Sequence, residues 1–128
     1  MRLRLPVLPP STIRSNYIHD AHSRGPDAPG AGNHFPGGLY NDEGSTNWLV
    51  TGNVVGEVGT WLQGCRPSCN WMGPNSYTGN FFRDIQSPAI NVDSRCANTD
   101  NADSTGKPEW PATAAAIAAA AGPRPENF

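Results

Sequence analysis

The sequence predicts an all-β fold, a parallel β-helix of few coils covered by a short C-terminal alanine-rich helix, and three observations predict it. A motif recurs three times, as Ile13-Arg14-Ser15-Asn16-Tyr17-Ile18-His19-Asp20, as Val50-Thr51-Gly52-Asn53-Val54-Val55-Gly56-Glu57 and as Tyr77-Thr78-Gly79-Asn80-Phe81-Phe82-Arg83-Asp84. The copies start 37 and then 27 residues apart, a scale typical of stacked units that bury their apolar faces only against neighbours. Turn formers are abundant, with 14 Gly and 13 Pro in 128 residues, while only 16% of the chain is charged. Its 37% of hydrophobic residues supply a thin continuous core and little more. Short β-forming runs follow one another from residue 38 onward, separated by Gly, Asn and Pro, and none has the length or period of a long helix.

Residues 1–10 read as an N-terminal extension. Its basic start, Met1-Arg2-Leu3-Arg4-Leu5, has the flavour of a signal peptide, but the apolar run is short and broken by prolines, so no signal peptide and no membrane span are expected. Residues 11–96 hold the coils. The first is a strand, turn and strand over 11–20, with the turn at Ser15-Asn16. An insertion loop over 21–37, polar and rich in Gly and Pro, follows it and carries His22, Asp27 and His34, with His19 on the strand before. Binding residues often stand on such loops. Strands are expected at 39–42, 48–55, 60–63, 77–82 and 89–92, with coils about 4.8 Å apart. Asn16, Asn53 and Asn80, at one turn of successive coils, are expected to stack as a hydrogen-bonded ladder. Residues 97–109 read as a polar linker leaving the stack. The run 110–122 is the helix, with Pro111 at its start and Gly122-Pro123 as its stop. It is expected to lay Ile117 and its alanines over the open end of the stack, and 123–128 is a tail.

Charge and cysteines narrow the function classes. A net charge of −2, with one lysine and eight arginines in no cluster, gives no footprint for nucleic acid or an anionic membrane. Of the three cysteines, Cys65 and Cys69 flank a proline-containing loop and can bridge there or reach Cys96. A zinc site lacks a fourth ligand at finger-like spacing, so no metal is expected.

The stretch Gly38-Leu39-Tyr40-Asn41-Asp42-Glu43-Gly44-Ser45, then Trp48-Leu49-Val50-Thr51-Gly52-Asn53-Val54-Val55, and later Trp110-Pro111 and the Ala-Gly-Pro ending, resembles the C-terminal part of secreted right-handed parallel β-helix proteins. These belong to the pectin-lyase-like group of polysaccharide-acting enzymes. The resemblance covers residues 11–125 and implies a right-handed coil, an extracellular location and a polysaccharide or oligosaccharide partner. That scaffold hosts lyases, glycoside hydrolases, epimerases and adhesins, so it specifies the fold better than the reaction. Members run to several hundred residues with a signal peptide, and this chain resembles a C-terminal fragment of one. Asn41 departs from the pattern, standing where an inward aliphatic residue is common, and a polar group there weakens its coil unless hydrogen-bonded.

Strand alternation places the candidate site. With Leu39 inward, Tyr40 and Asp42 face outward, and the next coil is expected to set Trp61 beside Tyr40 and Gln63 beside Asp42. Asn91 and Asp93 join the same ribbon, whose aromatic and polar mixture suits sugar rings and their hydroxyls; His34 is a further substrate-binding candidate. Two coil spacings put Asp42 and Asp93 about 9.6 Å apart, near the top of the roughly 6.5–9.5 Å range of inverting glycosidases. Asp42 and Asp93 are thus the candidate acid and base, with Glu43 either catalytic or structural. Solvated surface is the plainer reading of outward acids, and Asp20, Glu57 and Asp84 recur at one turn without evident function. Lyase chemistry ranks lower. It needs a base beside a neutralised uronate, for which Arg83 and Arg95 are available, and only there is Ca²⁺ expected as a cofactor. A glycan-binding or adhesin solenoid without chemistry is the competing class, and exposed coil edges at the N-terminal end predict self-association.

Overall fold

In the computed structural model the described residues are 8–19, 37–41, 45–58, 60–63, 74–85 and 94–122. They form a mostly β structure of parallel sheets with one short C-terminal helix. The strands are β1 (Ser11–Arg14), β2 (Tyr17–His19), β3 (Gly37–Tyr40), β4 (Trp48–Thr51), β5 (Val54–Gly56), β6 (Thr60–Gln63), β7 (Ser76–Thr78), β8 (Phe81–Arg83), β9 (Ala97–Thr99) and β10 (Ala102–Asp103), followed by α1 (Ala112–Ala120).

Three sheets result, in the orders β1-β4-β7-β9, β10-β8-β5-β2 and β3-β6. Every pairing is parallel. Ile13, Val50 and Tyr77 stand in register in the first sheet. Ile18, Val55 and Phe82 do so in the second, and Leu39 and Leu62 in the third. These columns form one core together with Val58, Cys96, Trp48 and Ile85. Full burial of each Val or Leu contributes about 1.5–3 kcal/mol.

The segments expected as continuous strands over 48–55 and 77–82 are each broken in two. The residue before each asparagine adopts the left-handed conformation, at Ser15 (φ 57°), Gly52 (60°), Gly79 (65°) and Asp100 (56°). A corner therefore separates β1 from β2, β4 from β5, β7 from β8 and β9 from β10. The asparagines that follow stack. The Asn16 amide and Nδ2 both donate to Asn53 Oδ1, at 3.1 and 2.9 Å. Asn53 donates in the same way to Asn80 Oδ1, both at 3.0 Å, and Asn80 to Asn101 Oδ1, both at 2.9 Å. The expected ladder exists and has a fourth member.

That fourth member corrects the reading of 97–109 as a linker. β9 and β10 extend the first two sheets, because Asn101 supplies the ladder oxygen and Asp100 the left-handed corner. Its polar composition suits a last layer, since the positions in register with Tyr77 and Phe82 are Asn98 and Asp103, both exposed.

α1 differs from expectation in place. It packs on β5, an inner strand of the second sheet, so it covers an outer sheet face and does not close an open end. Val54 and Ala114 are fully buried and stand apart from the main core. Trp110, just before the helix, lies over Gly56, where an added Cβ would sit 3.1 Å from its Cζ2. Arg83 caps the indole from 4.3 Å. Among the described residues no helix is long and apolar enough to cross a membrane.

Candidate functional site

The third sheet carries the sequence-predicted ribbon. Its register pairs Leu39 with Leu62 and Tyr40 with Gln63. The ribbon is thus shifted by two residues from expectation, which set Tyr40 beside Trp61 and Gln63 beside Asp42. The cause is the inward pairing of the two leucines: once Leu39 lies on Leu62, the following residues of each strand meet. Tyr40, Trp61 and Gln63 are all in strands. Asp42, Glu43, Asn91, Asp93 and His34 lie outside the described residues, as do His22 and Asp27. Among the described residues no group of three or more His, Cys, Asp or Glu is arranged to hold a metal ion.

The backbone leading into the ribbon is fixed from below. Asn41 is buried and its Oδ1 accepts a 3.2 Å hydrogen bond from the Tyr77 hydroxyl, so the polar departure at this position has its partner inside the core. Burial pushes the Tyr77 phenol up to about 12, partly offset by a hydrogen bond with Asn75. Tyr77 is neutral at any ordinary pH and acts as a donor to Asn41. Asn75 in turn accepts from the Trp48 amide at 3.0 Å and donates to the Ser45 carbonyl at 3.1 Å. Sequence reasoning missed Tyr77 and Asn75 in this role; the signal was Asn41 itself, a polar residue at a core position that demands a partner.

The acids that recur at one turn have a backbone explanation. Glu57 and Asp84 both have positive φ, 53° and 51°, so they form a second corner after β5 and after β8; Asp20 lies outside the described residues. Asp84 also lies 3.5 Å from Arg83 Nε. Arg83 thus contacts both the Asp84 carboxylate and the Trp110 ring. Arg95 is placed differently. It lines an open groove of about 360 Å³ with Pro10, Leu49, Trp48, Pro74 and Ala97, on the outer side of the first sheet. Asn47, Asn75 and Ser76 add hydrogen-bonding groups to that lining. His19 stacks on Tyr17, with ring centroids 4.4 Å apart.

Cys96 is disulfide-bonded, while Cys65 and Cys69, the other two cysteines of the sequence, lie outside the described residues. The Asn75 amide donates to Cys96 Sγ at 3.2 Å, so the bridge joins the side of the stack that holds Asn75, Tyr77 and Asn41. Compared with protein-family models, with curated proteins and with solved structures, the chain has no significant match.

Proposed function

We propose that the chain is a right-handed parallel β-helix of the pectin-lyase-like kind and that it acts on polysaccharide as an inverting glycoside hydrolase. The parallel register of β3 with β6 carries the reading. It pairs Tyr40 with Gln63 along the backbone, two residues before Asp42 in the chain, on a sheet whose Leu39 and Leu62 are buried. Asp42 and Asp93 are the acid and base: one carboxylic acid protonates the leaving glycosidic oxygen while the other carboxylate activates water on the opposite face of the sugar. Tyr40 and Trp61 stack on sugar rings, Gln63 and Asn91 bond their hydroxyls, and His34 reaches in from the insertion loop. A disulfide at Cys96 supports an oxidising, extracellular setting.

The test is digestion of a panel of neutral and uronic-acid polysaccharides, reading new reducing ends together with the absorbance of unsaturated products. Reducing ends without that absorbance, lost in Asp42→Asn and in Asp93→Asn, are expected. Both signals together would transfer the reading to a lyase.

A second reading, a glycan-binding surface without chemistry, is supported by the open groove lined by Pro10, Trp48, Leu49, Asn75 and Arg95, a mixture of apolar and hydrogen-bonding side chains. It predicts saccharide binding without product, weakened by Arg95→Ala and unchanged in Asp42→Asn.

A further inference from the structure

The asparagine ladder has a direction. Asn16, Asn53 and Asn80 each donate amide and Nδ2 to Oδ1 of the next asparagine along the chain. Oδ1 of Asn53, of Asn80 and of Asn101 thus each receives two donors. Asn16 Oδ1 receives none among the described residues. Among the described residues the same end of the stack has no further strand, because β1 and β2 are the terminal strands of their sheets. It is open in its core as well, since Ile13 and Ile18 are only half-buried while their neighbours in register, Val50 and Val55, are fully buried.

A third feature surrounds that end. Thr113, Ala116, Ile117 and Ala120, one face of α1, wall a groove of about 750 Å³ whose other wall is Ser15 and Asn16. The groove touches the first corner of the ladder and none of the later ones. The helix that covers Val54 on β5 therefore also shelters space beside the first repeat, with small side chains facing it.

We infer that this end is a docking site for a further polypeptide segment of the same kind: a strand, a corner with an asparagine, and a second strand, adding in parallel to β1 and β2. The incoming asparagine would donate its amide and Nδ2 to Asn16 Oδ1. Its two inward apolar side chains would complete the burial of Ile13 and Ile18, and its outward side chain would enter the groove under α1. Strand addition of this type takes affinity from backbone hydrogen bonds and specificity from alternate side chains. A second copy stacked tail to head does not meet these requirements, because the opposite end presents Asn98 and Asp103 at the inward positions. Burying the Asp103 carboxylate against Ile18 is strongly unfavourable. The inference rests on the β-helix reading of the fold and is independent of any cleavage of glycans.

The probe is a synthetic peptide with the sequence of residues 74–85, which contains one complete corner with its asparagine, added to the full chain. Binding is followed by fluorescence anisotropy of the labelled peptide and by hydrogen exchange of the amides in residues 11–19. The expected result is saturable binding with at least tenfold slower exchange in that segment. A peptide carrying Asn80→Asp keeps the backbone donor but sets a carboxylate against Asn16 Oδ1, and is expected to bind at least tenfold more weakly. Absence of binding, equal binding of the two peptides, or protection elsewhere in the chain would overturn the inference. So would end-to-end assemblies of the chain that excess peptide fails to dissociate. Loss of glycan cleavage would leave it standing, so the two readings fail separately.

Discussion

Asn53 shows how much one buried amide can organise. Its Oδ1 accepts from Asn16, and its Nδ2 is shared among the Ile13 and Thr51 carbonyls and Asn80 Oδ1, all within 3.2 Å. Replacing it leaves several backbone groups of neighbouring layers without partners at once, each costing about 1 kcal/mol or more. Asn53→Ala is therefore expected to lose about 3 kcal/mol, while Asn16→Ala, at the exposed end, loses about 1 kcal/mol; urea unfolding of the two variants checks the ranking. Tyr77 gives a prediction in pH. An unfolded tyrosine ionises near pH 10, and folded Tyr77 near 12. With the folded value raised, its contribution is intact below pH 10 and is lost as pH climbs toward 12. The loss amounts to about 3 kcal/mol. Tyr77→Phe should be less stable at neutral pH, because Asn41 loses its donor, yet should show a shallower decline across that alkaline window in parallel denaturant titrations.

At the scale of elements, the corners decide the architecture. Gly79 has φ +65°, and a Cβ there would meet only Thr51 Oγ1 at 3.6 Å, an ordinary contact. The expected cost of Gly79→Ala is therefore the backbone cost alone, about 1 kcal/mol, and a much larger loss of thermal stability would show that the corner is also sterically closed. Gly56 is the opposite case: its backbone is unexceptional, but the Trp110 ring lies 3.1 Å from the position of an added Cβ. Gly56→Val should displace Trp110 and loosen α1, seen as a red shift in tryptophan emission and faster exchange of the helix amides. The repeat and its ladder were legible in the sequence because asparagine and left-handed turn residues recur at fixed offsets. The division of 48–55 and 77–82 was not, because Val, Phe and Tyr on both sides of Gly-Asn read as one β run when only propensity is counted. Residues 97–109 were misread for a related reason. A terminal layer carries polar residues on the positions that are apolar elsewhere, and composition alone cannot tell it from a linker. The place of α1 was equally hidden, since an alanine-rich helix has no apolar stripe to say which surface it covers.

For the whole molecule, the disulfide at Cys96 cross-links the chain just before β9. Cys96→Ser is expected to lower stability by about 3 kcal/mol under oxidising conditions; equal unfolding midpoints for the variant and the parent would contradict this. Around the candidate residues, the sequence disclosed the strands β3 and β6 and the inward Leu39 and Leu62. It did not disclose their relative register, because a slip of two residues keeps the same side chains inward and so leaves the alternation pattern unchanged.

The spacing of the ladder, 37, 27 and then 21 residues, has a bearing on how this chain can change length. Both four-stranded sheets keep strict register across all three intervals, so every gained or lost residue has been absorbed in the stretches after β2, β5 and β8. The molecule thus separates a constant spine from a margin tolerant of insertion and deletion. Recombination, loop grafting and domain insertion should succeed in those three stretches outside β3 and β6, whose leucines belong to the core, and fail at the corners, which marks out in advance where new surface can be added without relearning how to fold.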